Sequence, residues 1–192
     1  MRIGERREQL MGGEGKKFGK DFEIDLFGLP RVDDPKYREE LERVKDKQSG
    51  YVPFREALGL VSKIQPRKYR PFSIKLTHEI ARALGQNKNP DINDSRIRFY
   101  TTVDTPLDTF HGADAIIEVR REGKEPIQIR LGATMADEYT KDNRQSKKSD
   151  VEIEASWLNL EDEEALDKEK IPELAARVIS QLEEKVMPKE PA

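Results

Sequence analysis

The sequence predicts a mixed α/β fold, a central sheet of about four strands flanked by helices. Two observations carry this reading: apolar residues recur at helical spacing before Gly85 and again near the C-terminus, whereas between Arg96 and Trp157 they alternate with a period of two. The length of 192 residues makes one core the default.

Residues 1–33 read as a flexible arm. Gly12, Gly13, Gly15 and Gly19 stand among Arg6, Arg7, Lys16, Lys17 and Lys20, too few apolar groups to offset chain entropy. Gly-Gly-Glu-Gly-Lys-Lys lacks the spacing and the preceding strand of a phosphate loop. Residues 34–192 then form a single domain. Asp34 before Pro35 suits a helix start, with Tyr37, Leu41 and Val44 on one face, and Phe54, Ala57, Leu58 and Val61 mark a second helix. Leu76, Ile80 and Leu84 line a third, with Thr77 as its cap and Gly85 as its stop.

Ile97, Phe99 and Thr101 alternate with Arg96, Arg98 and Tyr100 as a first strand. Thr105 to Asp108 reads as a turn, Ala113 to Val119 as a second strand, and Pro126 to Leu131 as a third after a turn at Gly123. Val151, Ile153, Ala155 and Trp157 give a fourth. Ile171, Leu174, Ala175, Val178, Ile179, Leu182 and Val186 share one stripe of a C-terminal amphipathic helix, with Pro172 tolerated in its first turn. That stripe suits either core packing or a protein partner, including a second copy of the chain.

There are no cysteines, which excludes a disulfide scaffold and a thiolate zinc site and fits a reducing, cytoplasmic setting. The N-terminus lacks the apolar run of a signal peptide, and no stretch reaches the roughly 18 apolar residues of a membrane helix. A net charge of -3 gives no global attraction to nucleic acid, so such a partner needs a local basic surface.

Asp104, Asp108, His111, Asp114 and Glu118 cluster around the start of the second strand, a set of oxygen donors suited to a hard cation such as magnesium. Asp114 interrupts apolar residues, so it needs a partner. His111 is a candidate for proton transfer. Lys63, Arg67, Lys68, Arg70 and Lys75 run without an acid among them and interleave with Tyr69 and Phe72, a pattern suited to phosphate contacts plus base stacking. Lys141, Arg144, Lys147 and Lys148 add a second basic stretch.

The run Asp108-Thr109-Phe110-His111-Gly112-Ala113-Asp114-Ala115-Ile116-Ile117-Glu118-Val119 resembles the first motif of the PD-(D/E)xK, or restriction-endonuclease-like, nuclease superfamily. In that superfamily a helix bearing Glu leads into a meander of strands carrying Asp and then an acid-x-Lys pair. The resemblance extends from Thr77 to Trp157. It implies that Asp114 binds the metal, that Gln128-Ile129-Arg130 stands in the second motif with Gln128 as a neutral ligand, and that Glu79 is the helix glutamate. Arg130 in place of lysine keeps a charge for phosphate but is a poor base. Lys141, Lys147 or Lys148 would then supply a displaced lysine. The implied function is DNA or RNA binding with magnesium-dependent phosphodiester hydrolysis, or a relative that has lost it. The alternative from a different class is a non-enzymatic interaction module that presents the C-terminal helix.

Overall fold

Alternating burial builds the sheet at the centre of the computed structural model, which describes residues 15–85, 96–134, 149–158 and 163–186. Strand β1 (Ile97–Thr101) pairs antiparallel with β2 (Ala115–Arg121), β2 pairs antiparallel with β3 (Lys124–Thr134), and β3 pairs parallel with β4 (Val151–Glu154). The strand order is therefore β1-β2-β3-β4, a mixed four-stranded sheet. Gly123, at φ +65°, takes the left-handed conformation that the β2–β3 turn requires. The predicted fourth strand ends at Glu154, because Ala155–Trp157 turns away.

Ile97, Phe99, Ala115, Ile117, Ile129, Leu131, Ala133, Val151 and Ile153 all point to one face and are buried there. Helix α4 (Pro71–Ala83) covers this face with Phe72, Leu76 and Ile80. It starts at Pro71, well before the predicted cap: Thr77 lies inside the helix and its hydroxyl donates to the Ser73 carbonyl at 2.8 Å. After a short turn, α6 (Glu163–Ala165), and a π-helical segment (Leu166–Lys170), helix α7 (Ile171–Val186) packs against α4 and adds Ile171, Leu174, Ala175, Val178 and Leu182. Most of its apolar stripe is thus spent on the chain's own core, with Ile179 half-buried and Val186 exposed.

The second face is covered only in part. Helix α3 (Phe54–Val61) and the short α5 (Pro106–His111) enclose Tyr100 and Ile116 with Val52, Ala57, Val61, Leu107 and Ala113. Helix α2 (Pro35–Val44), capped by Asp34 as its sequence predicts, leans on α3 through Tyr37, Leu60 and Ile64. Beyond these the face turns polar, with Arg98, Glu118, Gln128 and Arg130 in neighbouring positions of the pleat.

The arm predicted over residues 1–33 is corrected from Gly15 onward; residues 1–14 lie outside the described residues. Gly15–Phe27 forms helix α1, and Leu26 and Phe27 are fully buried in the main core. The Phe27 ring meets Phe72 and Phe99 at centroid distances of 6.2 and 6.0 Å. Gly28, at φ +79°, ends the helix in a left-handed cap with its N–H on the Ile24 carbonyl.

Candidate metal centre and basic face

Asp114 sits one residue before β2, at the end of the sheet where α1 and the β1–β2 connection meet, and is only 2 % exposed. Its backbone N–H donates to the Leu131 carbonyl at 2.8 Å, and its Oδ2 accepts from the Ala133 N–H at 2.6 Å. Both contacts fix the carboxylate against β3. The connection itself is not the simple turn expected from sequence: Thr105 caps α5 by accepting from the Leu107 N–H, Pro106 fills its first position, and Gly112 closes it at φ +60°. This holds Asp108, whose Oδ2 accepts from the Asp104 N–H at 3.0 Å. Asp104 takes a left-handed φ of 64° and pairs with Lys20 of α1.

One oxygen from each of Glu23, Asp108 and Asp114 lies within 4.8 Å of the others. Glu23 comes from α1, Asp108 from α5 and Asp114 from the entry to β2, so three separate elements converge. An all-oxygen donor set of this span fits a hard divalent cation. Sequence reasoning named Asp108 and Asp114 and missed Glu23, which it left inside the arm. The signal was present in Phe22, Glu23, Leu26 and Phe27, where the apolar residues take helical spacing and Glu23 follows the first of them.

The other residues singled out from sequence do not join this cluster. Gln128 pairs with Glu118, which puts it roughly 14 Å along the strand from Asp114 at about 3.4 Å per residue. Its amide donates to the Glu118 carboxylate at 3.4 Å. The β3 residue beside Asp114 is instead Gly132, where an added Cβ would lie 4.0 Å from the Asp114 Oδ2 and 2.9 Å from the Ser149 hydroxyl. Gly132 is therefore the β3 residue at the level of Asp114, and the side chains that gather with Asp114 are Glu23 and Asp108, not Gln128. Glu79 is half-buried on α4, pairs with Arg82 and does not join the Glu23, Asp108 and Asp114 cluster. His111 is buried against Phe54 and Tyr51, and its Nε2 donates to the Val52 carbonyl at 2.9 Å, a packing role. Lys141, Lys147 and Lys148 lie outside the described residues.

Arg130 is two positions along from the Asp114 level and on the same face. Asp150 grips it three times: its Oδ2 accepts from the Arg130 backbone N–H at 2.8 Å and from Nε at 3.2 Å, and its Oδ1 accepts from the terminal nitrogen at 3.0 Å. Lys185 of α7 adds an ammonium 2.8 Å from the Asp150 Oδ2 and donates to the Gln128 carbonyl. Burial pushes the Asp150 carboxyl up, but the bonds from Arg130 and the charge of Lys185 outweigh it and hold the group below the usual carboxylate range.

The basic run after α3 is divided by the fold. Tyr69 packs edge-on to Phe99 at 6.2 Å and Phe72 lies in the core, so neither ring is placed to stack on a base. Lys63 pairs with Glu40 and Lys75 with Asp167. Arg67, Lys68 and Arg70 are left as exposed charges on the loop entering α4. Among the described residues, no helix is long and apolar enough to cross a membrane. Comparison with protein families, with curated proteins and with solved structures found no match to this chain.

Proposed function

We propose that this chain is a nuclease-like domain that binds DNA or RNA and cleaves its phosphodiester backbone with the help of a divalent cation, magnesium being the natural occupant. The observation that carries the reading is the convergence of Glu23, Asp108 and Asp114 at the end of an antiparallel meander whose last strand runs parallel to its neighbour. A helix glutamate and a strand-entry aspartate at one point match the resemblance better than the Glu79 assignment did. Asp108 then takes the part of the second acid that Gly132 cannot play.

In this reading Glu23, Asp108 and Asp114 hold the cation, which when bound would supply Lewis-acid stabilisation of phosphate charge and a water of lowered pKa. The chain's own residues do the positioning. The Ala133 N–H and the Asp104 N–H orient two of the three carboxylates, and Lys20, tied to Asp104, brings a positive charge to the rim. Arg130 is a phosphate contact one pleat away. The interaction-module alternative is less favoured by the burial of Ile171, Leu174, Ala175, Val178 and Leu182 of α7 in the core, which leaves Val186 as the exposed part of the predicted stripe.

Calorimetric titration with magnesium and manganese, followed by incubation with labelled single- and double-stranded DNA and RNA, tests this. Wild type should bind one cation and cleave at least one substrate. Asp114→Asn keeps the Ala133 hydrogen bond but removes a charge, and should lower both cation affinity and cleavage by at least about 100-fold, in line with loss of an inner ligand. Cation binding without cleavage would reduce the reading to a decayed nuclease. Absence of both would end it.

A further inference from the structure

The open, polar part of the second sheet face holds a feature the acid cluster does not use. Phe54, Gln128, Arg130 and Lys185 line a shallow cleft of about 260 Å³. Two cations, Arg130 and Lys185, face one acid there, Asp150, whose side chain is only 10 % exposed while theirs are 29 % and 35 %. The neighbouring acid along the face, Glu118, is already served by Arg120 at 3.2 Å, Gln128 at 3.4 Å and the Tyr100 hydroxyl at 3.4 Å. The cleft is therefore net positive. It is walled by an aromatic ring, because Phe54 is held edge-on to His111 at 5.4 Å.

From this geometry we infer that the cleft is a phosphate subsite for single-stranded nucleic acid, with one backbone phosphate on Arg130 and Lys185 and the attached base against Phe54. The inference rests on the nucleic-acid reading above and adds a substrate class to it. Three features favour a single strand. The cleft is shallow, an aromatic side chain stands in its wall beside the charges, and stacking on aromatic side chains needs an unpaired base. It lies on the same face as Asp114, roughly 7 Å along the strand at about 3.4 Å per residue, so one strand can reach the acid cluster with one phosphate and the cleft with a neighbour. Asp150 acts as a placeholder: it keeps Arg130 and Lys185 aimed together, and phosphate competes with it for their protons.

Binding of fluorescent single- and double-stranded oligonucleotides in EDTA, across a salt series, tests the inference independently of any cation. Wild type should prefer the single strand. Lys185→Glu, a change at a half-exposed position, should weaken that binding about tenfold. It should also flatten the slope of log affinity against log salt by about 0.7 for each phosphate no longer neutralised. Asp150→Asn should act in the opposite direction and tighten binding severalfold. Thermal melts of both variants confirm folding, and a purely structural ion pair would give lower melting midpoints with no change in affinity.

Unchanged binding in Lys185→Glu, together with loss in the Arg67→Glu, Lys68→Glu, Arg70→Glu triple variant, moves the binding site to the loop before α4 and overturns the cleft. Equal affinity for the duplex overturns the single-strand assignment. If the oligonucleotide does not bind but inorganic phosphate shifts the Arg130 and Lys185 resonances, the cleft is a small-anion site and the nucleic-acid inference is overturned. Cleft-dependent binding without cation binding or cleavage would sustain the inference while removing the phosphodiesterase reading.

Discussion

At Asp150 burial and charge pull in opposite directions. A carboxylate with a 10 % exposed side chain loses most of its hydration, and three bonds from Arg130 with a fourth contact from Lys185 replace it. Because its folded pKa lies below the unfolded value, its charge stabilises the fold above roughly pH 4, and that contribution is lost as the pH falls through the depressed folded value. Denaturant unfolding of wild type and Asp150→Asn from pH 7 to 2.5 should thus show a stability gap that is constant near neutrality and narrows below about pH 4. A gap that stays constant to the acid end would mean the carboxyl is not held down. Asp150 could not be singled out from sequence, since it follows a basic stretch as an ordinary turn residue would. Asp114 could, because an acid beside Ala113, Ala115, Ile116 and Ile117 has to be accounted for.

Helix α1 is the element whose role was least visible. Its glycines and lysines have the composition of a tail, yet tertiary contacts override that composition: Leu26 and Phe27 enter the core at 0 % exposure, and Ser73 and Thr101 bond the Leu26 and Gly28 carbonyls that follow. The strands were legible because half-buried pleats leave a period-two record, and α7 because sixteen residues hold one stripe. Pairing between strands was not legible, so the sequence could not test the resemblance that put Gln128 with Asp114. Register decides which residues face each other, and a period of two does not state it. Phe27→Ala should cost about 3 to 5 kcal/mol, since it empties the space between Phe72 and Phe99, and denaturant titration measures it. A loss under about 1 kcal/mol would return α1 to the status of an appendage.

At the scale of the molecule, the acid cluster joins parts that are distant in sequence, and this sets up a test that needs no substrate. Glu23, Asp108 and Asp114 are contributed by α1, α5 and the start of β2, so a cation held among them would tie the first helix to the sheet. A ligand that binds only the folded state stabilises it by about 2.7 kcal/mol at a hundred times its dissociation constant. For a chain of this size that corresponds to a rise in melting temperature of roughly 5 to 10 °C. Magnesium or manganese should therefore raise the midpoint of wild type, while potassium at matched ionic strength should not. Glu23→Gln and Asp114→Asn should each show little rise in midpoint with cation, whatever their midpoint without it. Equal shifts in wild type and both variants would place the cation elsewhere, and no shift in any of them at millimolar concentrations would leave the three carboxylates as a polar contact between helix and sheet.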